Sequence, residues 1–194
     1  SNWQQTDIVA NDINIHCYRS DTHDRPLIIL AHGFSDNGLC WERTAQHLSD
    51  RFDVLMFDAR NHGLSSRAEA GAEAMAGDLA ALIEVVSPGK PVYLLGHSMG
   101  ASTVASVAAR YPNRVKAALL EDPPWTKPAA KESGEQAKQA AKKRGEEFKK
   151  FLKTLKSGSL ESAVRFGRGL YPDWHDDDLP AWAESKLQVS DDAA

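Results

Sequence analysis

Apolar residues gather in four short runs, at 27–31, 54–57, 92–95 and 115–120, the last broken only by Lys116. Apolar runs of this length are the pattern of strands covered on both faces. Between them lie stretches with helical spacing, at 40–48, 72–86 and 99–111. The second carries Met75, Leu79, Leu82, Ile83 and Val86 along one face. Ahead of all of these, residues 8–10 and 13–18 flank the turn pair Asn11-Asp12 and predict an opening hairpin. A hairpin followed by alternating strand and helix predicts an α/β fold: a mostly parallel sheet with helices on both faces.

The pattern changes after Asp122-Pro123-Pro124-Trp125. Residues 127–156 hold ten Lys or Arg against four Glu, with Phe148, Phe151, Leu152 and Leu155 as an apolar stripe. That combination predicts an amphipathic helix whose opposite face is solvated. Residues 160–168 and 179–189 predict shorter helices, and no strand pattern returns before Ala194. The expected division is therefore 1–124 as the sheet-bearing core and 125–194 as a helical cap segment.

Bulk properties narrow the class without choosing a function. A chain of 194 residues buries one substantial core, and 42% hydrophobic with 26% charged residues is ordinary for a soluble globular protein. A net charge of -4 gives no general pull toward nucleic acid or an anionic membrane. No apolar run approaches the roughly 20 residues that span a bilayer, and the first residues lack the basic-then-apolar design of a signal peptide. Cys17 and Cys40 have neither metal-ligand spacing nor a disulfide framework, so reduced thiols in a cytoplasm are expected.

The chemistry concentrates where strands end. Gly96-His97-Ser98-Met99-Gly100 fits G-x-S-x-G and stands where a buried strand gives way to a helix, as a nucleophile elbow requires. Such a turn strains the serine backbone, needs small neighbours, exposes the hydroxyl and sets it at a helix N-terminus that favours negative charge. The competing reading is a glycine-rich turn of a nucleotide-binding sheet, but no G-x-G-x-x-G or Walker pattern accompanies it. His32-Gly33-Phe34 follows the first buried parallel strand, the loop that supplies one oxyanion N–H in this architecture. The expected donors are the backbone N–H groups of Phe34 and Met99, with Gly33 letting a substrate carbonyl approach closely. His97 and Trp125 are expected to shape the pocket.

His32-Gly33-Phe34, the segment Asp58 to Ser65 and Gly96-His97-Ser98-Met99-Gly100 together resemble the α/β-hydrolase fold superfamily, in order and in separation. The resemblance is good over residues 5–125, and residues 126–194 resemble its variable helical cap. It implies a Ser–acid–His triad working through an acyl-enzyme, with Ser98 as nucleophile. It implies that Asp58 and His62 hold their loop. In most of the superfamily the acid follows a seventh strand, which this sequence does not reach. In a smaller branch, the N-formylmaleamate deformylase type, it ends the sixth strand in a V-D-P-P segment. Glu121-Asp122-Pro123-Pro124 stands in that place, so Asp122 is the expected acid and Glu121 the second choice. A plain turn aspartate before two prolines is the alternative.

Seven histidines are present, and none follows a final strand, where the resemblance puts the base. The expectation is that two further strands, a helix and the catalytic histidine lie outside this chain. A second chain carrying the C-terminal remainder of the same protein is then a partner, alongside a small-molecule acyl substrate. The expected function is a serine hydrolase cleaving a small carboxylic ester or related acyl bond, with no metal or organic cofactor. Serine at 98 argues against haloalkane dehalogenase and epoxide hydrolase chemistry, which need a carboxylate nucleophile. The alternatives are a receptor-like member that binds ligand without turnover and an inactive fragment. Trp125, Phe166, Tyr171, Trp174 and Trp182 suggest an apolar pocket roof, although cap packing explains the same aromatics.

Overall fold

The structure, a computed structural model, describes residues 3–125, 131–191 and 193. The chain divides into two compact units, Ser1–Pro124 with Gln188–Ala194, and Trp125–Leu187. The division expected from the sequence runs the second segment on to 194, whereas the chain rejoins the first unit from Gln188. The Asn37 side-chain amide donates to Gln188 Oε1 at 3.0 Å, and the Ser190 N–H donates to Asn61 O at 2.7 Å.

The first unit is a six-stranded sheet in the order β1-β2-β4-β3-β5-β6. Its strands are β1 (Gln4–Ala10), β2 (Ile13–Arg19), β3 (Leu27–Ala31), β4 (Asp53–Phe57), β5 (Val92–His97) and β6 (Val115–Glu121). The β1–β2 hairpin is antiparallel, β2 joins β4 antiparallel, and β3 to β6 are parallel. Three α-helices belong to this unit: α1 (Glu42–Leu48), α2 (Ala72–Val86) and α3 (Met99–Arg110). The helix expected from residue 40 begins as a 3₁₀ turn, Gly38–Trp41, before α1.

Alternation along the central strands feeds two cores. Ile29, Leu55, Phe57 and Leu94 pack with Leu79, Leu82 and Ile83 of α2 and with Val104 and Val107 of α3. On the other face Ile28, Leu30, Val54, Met56 and Leu95 meet Tyr18, Trp41 and Ala45 of α1. Both faces of β3 and β4 are covered, which is why their sequences are continuously apolar after Asp53 rather than alternating. Cys17, wholly buried here, has its thiol pushed up to about 12 by burial first and by Asp58 and Asp7 next.

β6 departs from the expectation. Its apolar run reads as a strand buried on both faces, yet its residues from Lys116 to Leu119 are exposed, with Leu119 at 63%. The cause is position: β6 is the outer strand, hydrogen-bonded to β5 alone among the described residues.

The second unit holds α4 (Lys131–Lys156), α5 (Leu160–Leu170) and α6 (Leu179–Gln188). Leu155, Ala163 and Ala183 form its small core, with Phe151, Val164, Trp182 and Leu187 against them. Ser159 caps α5 by accepting from the Ser162 N–H at 3.2 Å. Trp182 packs so closely on Gly167 that a Cβ there would lie 2.6 Å from its ring.

A buried ion pair ties the loop after β4 to α2 and to the hairpin turn. Arg60 donates to both Asp78 oxygens, at 2.6 and 2.7 Å, and Asn11 donates to Asp78 Oδ1 at 2.8 Å. Removing one partner strands a buried charge, so Asp78→Ala is expected to cost about 3–5 kcal/mol of unfolding free energy. The double replacement Arg60→Met with Asp78→Leu should recover most of that. Urea denaturation of both proteins checks it; equal losses would mean the pair contributes through packing, not charge.

Candidate active site

The turn from β5 into α3 is built from missing side chains. A Cβ on Gly96 would sit 2.4 Å from Gly100 O, and one on Gly100 would sit 2.2 Å from Ala31 O. Both clashes are with backbone, so neither position admits another residue without moving the strand or the helix. Ser98 lies between them at φ 49 and ψ -112, a strained conformation for a residue with a Cβ. Its side chain is half-buried. Met99 is the first residue of α3, so its N–H has no acceptor within the helix and lies at the positive end of the dipole.

Three strand ends converge on this edge. The Ser98 N–H donates to Glu121 O at 2.9 Å, and His97 is paired with Glu121 across β5 and β6. Asp122 therefore follows directly on the residue that anchors the serine backbone. It is exposed, with φ 43, a second strained non-glycine position at the same edge. On the other side, β3 ends at Ala31 and leads into His32-Gly33-Phe34. His97 packs on this loop: a Cβ on Gly33 would meet His97 Nδ1 at 2.7 Å and Asp36 Oδ2 at 3.4 Å. The Asp36 N–H donates to Gly33 O at 3.2 Å, closing a tight turn in which Ser35 takes φ 66. Ser98, Met99, His97, Gly33, Phe34 and Asp122 thus share one sheet edge, where ligands of open α/β sheets bind. Trp125 opens the second unit and is 63% exposed.

The segment after β4 holds the loop after β3. Asp58, fully buried, accepts from the Gly38 N–H at 2.7 Å and the Leu64 N–H at 2.8 Å. Burial raises its pKa above the ordinary carboxylate value despite those two donors. Gly63, at φ 49, leaves room for that carboxylate: a Cβ there would lie 2.0 Å from Asp58 Oδ2. The Ala59 N–H donates to His32 Nε2 at 2.9 Å, so His32 carries its proton on Nδ1, which donates to Gly33 O at 2.7 Å. His62 Nδ1 donates to Arg60 O at 2.9 Å, and its ring lies edge-on to both His32 and Phe34. Asp58 and His62, expected from the sequence to hold their own loop, also brace the neighbouring one, a contact between distant residues that leaves no sequence pattern.

The other histidines sit elsewhere. His16 is buried on β2 with Nδ1 2.6 Å from Asp7, and His23, His47 and His175 are exposed. No group of three or more His, Cys, Asp or Glu able to hold a metal ion occurs among the described residues. No described helix is long and apolar enough to cross a membrane.

Comparison with known proteins agrees with the fold. The family model for the alpha/beta hydrolase fold matches residues 26–192. The 2-(acetamidomethylene)succinate hydrolase of Mesorhizobium japonicum is 39% identical over 99 residues, 50% of this chain and 35% of that protein. A crystal structure of E-2-(acetamidomethylene)succinate hydrolase superposes with a TM-score of 0.74 at 25% identity, covering 99% of this chain and 70% of that one. The N-formylmaleamate deformylase of Pseudomonas putida is 31% identical over 127 residues, 64% of this chain and 47% of that protein. Epoxide Hydrolase A from Mycobacterium thermoresistibile superposes with a TM-score of 0.58 at 27% identity over 61% of this chain and 39% of that one. The chain thus spans less than half the length of the curated relatives it matches.

The buried His62 has a consequence for stability. Burial first, and the neighbouring His32 next, lower its pKa from 6.5 to about 3; Arg67 acts the same way, while the Arg60 carbonyl and Asp36 oppose it. Between those values the unfolded chain holds the extra proton, so stability falls as pH drops from about 6.5 toward 3. The slope reaches at most about 1.4 kcal/mol per pH unit. Asp58 acts in the opposite sense, because its raised pKa lets the folded chain take up a proton first. His62→Phe should therefore lose less stability than the parent between pH 7 and 5 in urea titrations. Identical losses in the two proteins would contradict a buried neutral imidazole.

Proposed function

Because this chain belongs to the alpha/beta hydrolase fold family, we propose that it carries the nucleophile and oxyanion half of a serine hydrolase. The observation behind this reading is the turn at Ser98, strained at φ 49 and closed by two glycines that admit no Cβ. Ser98 attacks an acyl carbonyl, and the Phe34 and Met99 N–H groups receive the developing oxyanion. Gly33 and His97 line the approach, and Asp122 orients the base. The serine proton passes through the base to the departing alcohol or amine as its bond to the acyl carbon breaks, leaving an acyl-enzyme on Ser98, and water then releases the acid and restores the serine.

Substrate class follows from the nucleophile and from the relatives' names. A serine at this turn suits acyl transfer, whereas epoxide opening in this family needs a carboxylate, so likeness to an epoxide hydrolase supports the fold and not that chemistry. An acetamido group stands in one relative's name and an N-formyl group in another's. Small N-acyl compounds therefore join carboxylic esters as candidate substrates.

The base comes from outside these residues. His32 and His62 are committed to backbone carbonyls, and His97 packs against Gly33. The C-terminal remainder of the protein is the proposed source, docking along β6, whose exposed Ala117, Ala118 and Leu119 suit a strand meant for cover.

The test uses the full-length protein. A fluorophosphonate probe should add to Ser98, seen as a single mass increment on the peptide containing it, and Ser98→Ala should abolish labelling and turnover of p-nitrophenyl acetate. Asp122→Asn should lower kcat by about 10³–10⁴. Turnover surviving in Ser98→Ala sinks the hydrolase reading; full activity in Asp122→Asn moves the acid elsewhere. Labelling that stops at one equivalent, with no turnover, favours a ligand-binding member of the fold.

A further inference from the structure

We infer that His62 is a positioning residue for acyl transfer at Ser98, acting through the ring of Phe34 to aim the oxyanion loop. The inference rests on the proposal that the Phe34 N–H is an oxyanion donor.

The loop from His32 to Gly38 is gripped at three points by the segment that follows β4. Its start is held by the Ala59 N–H donating to His32 Nε2 at 2.9 Å, and its end by the Gly38 N–H donating to Asp58 at 2.7 Å. The middle is held by rings. His62 stands between His32 and Phe34, with centroids 5.1 and 5.6 Å away and interplanar angles of 63° and 83°. Phe34 lies in the tight turn closed by Asp36 and Gly33, where Ser35 is at φ 66. Packing of the Phe34 ring against His62 restrains where the Phe34 Cα sits in that turn, and so where its amide points.

The chemistry of His62 shows why this ring is not simply apolar packing. Its Nδ1–H donates to Arg60 O at 2.9 Å, which fixes the plane of the imidazole. That leaves Nε2 as a bare lone pair in a side chain 1% exposed, and it has no hydrogen-bond partner among the described residues. A buried acceptor without a partner destabilises a fold. A phenyl ring would fill the same space and remove the bare nitrogen, at the loss of the Nδ1–H bond to Arg60 O. What the imidazole adds is orientation: a ring tethered at one edge presents a fixed edge to Phe34, and a phenyl ring does not. A residue that costs stability while fixing geometry beside a reacting group is the mark of a functional position.

Stability and rate should therefore separate. In the full-length protein with p-nitrophenyl acetate, His62→Phe is expected to melt close to the parent temperature, because it removes the bare Nε2 and the bond to Arg60 O together. Its kcat should fall about tenfold or more, a fraction of what a whole oxyanion donor supplies, with KM within about twofold. His62→Asn keeps an N–H for Arg60 O without the ring and should lose a similar factor. The pair is tested for dependence by Phe34→Ala: once that ring is gone, adding His62→Phe should change kcat by less than about twofold, because coupled residues do not add. A parental kcat in His62→Phe overturns the inference. So does a loss that multiplies in full on top of Phe34→Ala, or one that tracks a lowered melting temperature across all variants. If the parent shows no Ser98-dependent turnover, the hydrolase reading fails first and takes the inference with it.

Discussion

The approach of α3 to the ends of β3 and β5 governs the rest of the molecule. Adding one carbon at Gly100 would bring it to 2.2 Å from Ala31 O, and one at Gly96 to 2.4 Å from Gly100 O. With both carbons absent, strand and helix meet across a single linking residue, and that residue must bend to φ 49 and ψ -112. The bend turns the Ser98 side chain out of the sheet. It also sets the first free N–H groups of α3 at the carboxyl edge. Close packing, not a hydrogen bond or a charge, creates the position at which chemistry is proposed.

Around that turn the structure accepts polar costs in order to hold loops still. Asp58 is fully buried and raised in pKa, yet it ties Gly38 to Leu64. Arg60 and Asp78 form an ion pair that is 7% and 3% exposed, where apolar residues of similar volume are often as stable. His62 leaves a ring nitrogen unpartnered among the described residues. Each of these groups lies on or beside the segment after β4, and each fixes where a neighbouring segment runs. The loop after β3, which carries the proposed oxyanion donor, is consequently positioned by contacts from a different part of the chain, as preorganised donors need to be.

Local features of this fold were legible in the sequence because their causes are local. Runs such as 27–31 and 92–95 are apolar since both sheet faces are covered, and the strands stand where those runs are. The order of strands and helices, and the placing of Ser98 between a strand and a helix, follow from residues within a few positions of one another. What could not be read depends on distant neighbours. The exposure of Leu119 is decided by what lies beside β6, and its composition alone says only that it suits cover. The brace from His62 to Phe34 joins residues 28 positions apart through a ring contact, which leaves no periodicity behind. The Arg60–Asp78 pair and the return of the chain at Gln188 carry no motif either.

β6 links these two kinds of information. Its last residue accepts the Ser98 N–H, so the strand that ends in the proposed acid is also a support of the proposed nucleophile. Yet β6 is the outer strand, and Asp122 at its end is exposed. A carboxylate orients a histidine best when shielded from water, because the interaction strengthens as the local dielectric falls. On the proposal that the C-terminal remainder pairs along β6, one docking event covers Ala117, Ala118 and Leu119, shields Asp122 and delivers the base. Assembly of the sheet and assembly of the triad are then the same step. A chain holding only the nucleophile half would bind and position an acyl group while lacking the means to turn it over.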